Sequence, residues 1–144
     1  MSEHLGQAPA FVGGDGSKSS ELFDWEDARI FLNNSKLWSS ETLKITEAGE
    51  NVPPQQYCFQ GTNRSLRSIL RPDPISVLER IRRGALLTLG SMESATPHLT
   101  RLTAALSSAL GGVGTARISC SGPSELANLV DFDVGDAFLL QLDG

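Results

Sequence analysis

Apolar positions recur at helical spacing in three stretches of this chain, with shorter extended runs between them. The first stretch follows Asp24 and carries Trp25, Ala28, Ile30, Phe31 and Leu32. Asp24 suits the capping position, and Glu26 and Asp27 suit the positive first turn of a helix. Asn33, Asn34 and Ser35 then end it. In the second stretch Asp73 precedes Pro74, a cap followed by a favoured first-turn proline, and Val77, Leu78 and Ile81 form one face before Gly84. The third repeats the device with Thr96 and Pro97. Leu99, Leu102, Leu106 and Leu110 follow at near-helical spacing until Gly111 and Gly112 stop the helix.

Between the helices the pattern is extended. Residues 43–46 read as a short strand closed by a turn at residues 47–50. Pro53 and Pro54 exclude a central strand after Val52, because proline supplies no ladder donor. Extended structure resumes around residues 56–59, a buried strand is expected at residues 85–89, and further extended segments at residues 115–120 and 136–142. Residues 1–20 are rich in Gly, Ser and Ala and are expected to form a disordered tail ahead of a folded portion at residues 21–144.

Composition adds bounds. A chain of 144 residues, 40% hydrophobic and 20% charged, suits one globular α+β domain. The formal net charge of −5 disfavours nucleic acid as a partner of the whole surface. Arginines do cluster, at Arg64, Arg67 and Arg71 and again at Arg80, Arg82 and Arg83, and read as a solvated helix face and loop. Cys58 and Cys120 match no zinc or redox spacing and read as small apolar residues of a reducing compartment. Nothing resembles a signal peptide or a membrane span, so the expected location is cytoplasmic, without membrane contact. His98 reads as a surface residue of a helix start, Trp25 and Trp38 as core or interface anchors. The glycines at 111, 112 and 114 lack the Lys-Ser/Thr continuation of a phosphate loop.

The final block holds the candidate chemistry. Asp131 and Asp133 lie two residues apart, followed by Asp136, Phe138, Gln141 and Gly144. On a strand, side chains at i and i+2 leave the same face, so the two carboxylates can meet one cation. This block resembles the metal-binding strand of the JmjC-type cupins, in the ribosomal-oxygenase-like branch, which reads His-x-Asp-x-x-Asp-x-Phe-x-x-Gln-x-x-Gly. Asp131 stands where that pattern has its first His. The order of elements from Leu22 to Gly144 is similar to the opening half of those proteins. So is the handover from helix to strand at Arg83, Gly84 and Ala85.

The resemblance implies a partial double-stranded β-helix with flanking helices and kinship with Fe(II)- and 2-oxoglutarate-dependent protein hydroxylases, a dioxygenase-like group of oxidoreductases. Asp133 would be the carboxylate ligand and Asp131 would replace an imidazole. The second His and the basic residue that grips 2-oxoglutarate would lie beyond Gly144, so the chain is expected to be incomplete or inactive as an oxygenase. Implied partners are ribosomal or other proteins. A half β-helix would leave a strand edge and an apolar sheet face open, which points to a dimer or partner chain at the C-terminal strand. The alternative is a small α+β adaptor whose terminal strand pairs with a partner.

Overall fold

The computed structural model describes residues 9–14, 19, 21–34, 37–63, 65–122 and 136–142. Helix α1 spans Trp25–Asn33 and opens on a capping box, with the Asp24 carboxylate accepting from the Asp27 amide at 2.8 Å and the Asp27 carboxylate from the Asp24 amide at 3.3 Å. Ala28 and Leu32, one turn apart, are buried, whereas Trp25 and Ile30 are each 55% exposed. The buried stripe is thus narrower than the apolar spacing predicts. Trp38 is the tryptophan that anchors the core, and its indole donates to the Phe31 carbonyl at 2.8 Å.

Strand β1 (Leu43–Glu47) turns back through Ala48 and Gly49 into β2 (Glu50–Asn51). Both turn residues have positive φ, 48° and 84°, the conformation that matches a two-residue turn to strand twist. Pro53 then leads the chain out of the sheet and Pro54–Gln56 form a 3-10 turn, as the missing proline donors require. Strands β3 (Cys58–Thr62) and β4 (Ser68–Pro72) make a separate antiparallel hairpin, so Arg71 sits on a strand where the sequence suggested a solvated loop, whereas Arg67 lies in the exposed loop that joins the two strands.

Helix α2 (Pro74–Arg82) is capped by Asp73, which accepts from the Ser76 amide at 3.1 Å and the Ser76 hydroxyl at 2.6 Å. Those bonds favour the charged carboxylate and hold Asp73 below the usual range. Gly84, at φ 95°, lets the chain reverse into β5 (Leu86–Leu89). Helix α3 (Pro97–Leu110) ends on Gly111 in the left-handed conformation, and β6 (Ile118–Ser121) follows.

The sheet has the order β2-β1-β5-β6, antiparallel throughout. Its register stacks Leu43 against Leu89 and Ile45 against Leu87, with Ile118 and Cys120 continuing the same face across β6. Leu43, Ile45, Leu87 and Leu89 are fully enclosed. Val77 and Ile81 of α2, Leu99 of α3 and the buried pair of α1 complete one apolar cluster with them. The opposite sheet face carries Lys44, Thr46, Leu86, Thr88, Ser119 and Ser121. Alternation places mainly polar residues there, so the open apolar sheet face expected of a half β-helix is not found among the described residues.

The fold class is α+β. The expected strand at residues 136–142 is corrected: this segment has no regular secondary structure, and Phe138, Leu139 and Leu140 are 41%, 95% and 53% exposed. Alternating burial needs a ladder partner, and no hydrogen-bonded strand lies beside these residues among those described. Of the expected tail, residues 9–14 are exposed without regular structure; residues 1–8, 15–18 and 20 lie outside the described set. No helix among the described residues is long and apolar enough to cross a membrane.

Thr96 ties two parts of the fold together. Its hydroxyl accepts from the Leu99 amide at 3.1 Å and donates to the Leu22 carbonyl at 2.8 Å, joining the α3 start to the approach of α1. Thr96→Ala removes both bonds and is expected to lower stability by about 1–2 kcal/mol, read as a shift in urea midpoint. Thr96→Ser keeps the hydroxyl and should recover most of that loss. An alanine variant as stable as the parent would show that the cap does not carry this junction.

Candidate functional site

The residues with the strongest sequence case, Asp131 and Asp133, lie outside the described residues, as do Arg64 and Gly144. The rest of their block is on view. Asp136, Phe138 and Gln141 are exposed, so Phe138 and Gln141 do not occupy the packed strand positions that the resemblance implies. The Gln141 carbonyl accepts from the Ser19 hydroxyl at 3.0 Å, and Leu142 is the residue of this segment that packs against the core. No group of three or more His, Cys, Asp or Glu residues converges among the described residues.

The donor set read from the sequence decides what Asp131 and Asp133 fit. Two carboxylates without imidazole are hard oxygen ligands, suited to Mg, Mn or Ca. They do not match the two-His, one-carboxylate arrangement that selects ferrous iron and leaves open positions for 2-oxoglutarate and oxygen. No oxygenase step follows from such a set. His98 is exposed at the first turn of α3, its Nδ1 2.6 Å from the Glu21 carbonyl, and is engaged in holding that segment.

The thiols are equally unsuited to chemistry. Cys58 and Cys120 are each partly buried, and desolvation pushes both up to about 11. At neutral pH each is almost entirely the unreactive thiol. Both should therefore alkylate slowly in the native protein, with rates rising toward pH 11 and a large acceleration in denaturant. The sign for stability follows: burial of the neutral form favours folding below the ordinary thiol value of 9.0, and that contribution is lost as pH rises through about 11. Rapid thiol labelling of folded protein at pH 7 would contradict this environment.

The concave surface that the described residues do form lies elsewhere. A shallow cleft of about 460 Å³ runs between the 37–39 segment and the β3–β4 hairpin, lined by Leu37, Trp38, Ser39, Asn63, Ser65, Ile69 and Arg71. A second depression of about 370 Å³, bordered by Ser40, Glu41, Ser68 and Leu70, adjoins it. The hairpin tip is held by Asn63, whose side-chain oxygen accepts from the Ser65 amide at 2.9 Å and the Arg67 amide at 3.0 Å. Arg71 donates to the Thr62 carbonyl at 2.9 Å. Its aliphatic stem covers Gly61, where an added Cβ would come within 2.8 Å of Arg71 Cδ.

Sequence reading missed this surface. The available signals were the alternation of Phe59 with Gly61 and of Ile69 with Arg71, and an asparagine placed to close a turn two residues on. Compared with known proteins, the chain matches no protein-family model, no curated sequence and no solved structure.

Proposed function

We propose that this chain is a relative of the JmjC-type cupins, built on part of a double-stranded β-helix, that acts as a protein-binding module and not as a ferrous oxygenase. The observation that carries the reading is the spacing of Asp131, Asp133, Asp136, Phe138, Gln141 and Gly144 against the family's metal strand. The antiparallel order of the sheet and the Gly84 handover from α2 to β5 agree with it. Asp131 in place of the first His removes the imidazole that a selective iron site needs. The kinship implies protein partners, ribosomal proteins among them, and β6 offers an edge whose described ladder partner is β5 alone. That edge takes over the pairing role first assigned to the terminal segment, which is not a strand among the described residues.

The test is metal binding by isothermal titration under anaerobic conditions, using Mn(II) and Fe(II) on the full chain. The parent protein should bind Mn(II) weakly and show no preference for Fe(II). Asp131→His should raise affinity for both ions by about tenfold or more, and Asp133→Ala should abolish binding in either background. If neither substitution changes metal binding, the two positions do not share a site and the kinship fails as an account of this molecule.

A further inference from the structure

We infer that the outer edge of β6 pairs antiparallel with the same strand of a second copy, joining two four-stranded sheets into one. The inference rests on the protein-binding reading and names its partner. Among the described residues β6 is hydrogen-bonded to β5 alone, so the backbone groups on its far side have no described ladder partner. The two edges of this sheet are unlike. At the other one, β2 is two residues long, carries Glu50, and gives way to Pro53 and Pro54. Short length, charge and proline are features that keep an edge strand from pairing. The four residues of β6, Ile118, Ser119, Cys120 and Ser121, include no charge and no proline.

The side-chain pattern selects the occupant. Register puts Ile118 beside Leu89 and Cys120 beside Leu87 on the face that the helices cover, with Ser119 and Ser121 on the polar face. Directly opposed residues of an antiparallel pair share a face, and a slip of one residue reverses every side chain. With Ser119 opposite Ser119 or Ser121 of the partner subunit, the two core faces run on into each other. The apolar layer is incomplete at this edge: Ala116 and Cys120 pack against the core but stay partly exposed. A second copy carries the same row, so the layer continues across the two-fold axis.

Charge fits the same partner. Arg117 is exposed just before the strand. Antiparallel pairing sends it and the partner's Arg117 to opposite ends, at least about 13 Å apart at ~3.3 Å per residue. Each copy carries a formal charge of −5, which repels the other at long range until salt screens it. Self-pairing therefore tightens as salt rises. A basic partner strand would show the reverse dependence.

The test is sedimentation velocity on the full chain, from low to high micromolar concentration, at low and at physiological salt. The parent should pass from monomer to dimer, with a dissociation constant at least about threefold lower at the higher salt. Ser119→Lys, at an exposed position of the edge, should weaken the dimer at least about tenfold. Asn51→Lys makes the same charge change on β2 and should alter it less than about twofold. Amide exchange should slow along β6, and not along β2, as concentration rises. Circular dichroism confirms folding; should Ser119→Lys unfold the chain, exchange in the parent decides. A parent that stays monomeric, a dimer that weakens with salt, equal effects of the two lysines, or concentration-dependent protection confined to another element would each overturn the inference. A monomer leaves the metal test at Asp131 and Asp133 standing, and failure of that test leaves the edge pairing standing, so the two are told apart.

Discussion

Leu87→Ala is expected to lower the unfolding free energy by about 2–5 kcal/mol, the range for truncating a fully enclosed leucine. Leu87 has no exposed surface and lies on β5, between β1 and β6. The register places Ile45 on one side of it and Cys120 on the other, on the face that the helices cover. Removing three carbons there sacrifices transfer free energy and leaves a cavity that strands hydrogen-bonded on both sides cannot readily close. A domain of this size has about 5–15 kcal/mol to lose, so the variant should unfold at a much lower urea concentration. Thr88→Ala, one residue along on the opposite, partly exposed face, should shift stability by less than about 1 kcal/mol. A Leu87→Ala loss no larger than that of Thr88→Ala would mean that β5 is not the central buried strand.

The second large effect is expected at Gly122, just after β6. A Cβ built there meets the Ile81 carbonyl oxygen at 2.3 Å and the Ile81 carbonyl carbon at 3.3 Å. The obstacle is backbone near the end of α2, and it has no flexible side-chain terminus that can swing aside. Gly122→Ala should force β6 and α2 apart and cost about 1–3 kcal/mol. It should also speed amide exchange at the α2 end and along β6, which a purely local change would not do. Gly112 is the internal control, since a Cβ there meets nothing within 4 Å. Gly112→Ala should be neutral or slightly stabilising, because alanine restricts the unfolded chain. Equal behaviour of the two variants in urea melts would remove the α2–β6 contact from the account.

Much of the local architecture was legible in the residues. Asp24, Asp73 and Thr96 start the helices that they were expected to start; Asn33 and Asn34 end the first, and the glycines at 84 and 111 close the second and third. Each of these effects concerns one or two backbone groups satisfied within a few residues, so the signal is local. The width of the buried faces was not legible. Leu78 and Leu110 share the apolar spacing of their helices yet remain 38% and 41% exposed, because burial depends on what lies opposite. The β3–β4 hairpin was half read: the proline-bounded start was seen, but Ser68–Pro72 holds two polar residues and a proline, an unpromising strand taken alone. Pairing with Cys58–Thr62 supplies its stability. Of the candidate sites, Asp131 and Asp133 were conspicuous as paired carboxylates. The cleft was not, because its lining comes from three separated segments.

By itself the sequence determined the helix limits, the proline-enforced exit from the first sheet segment and the donor chemistry at Asp131 and Asp133. Tertiary structure decided that β1 pairs with β5 across the intervening hairpin and helix, which leucines of α3 find cover, and that Leu37, Asn63 and Arg71 share a surface. The reason is the range of the interactions. A helix closes its bonds within four residues, so its ends are written where they occur, whereas a ladder partner or a cleft wall is chosen from the whole chain by what can pack.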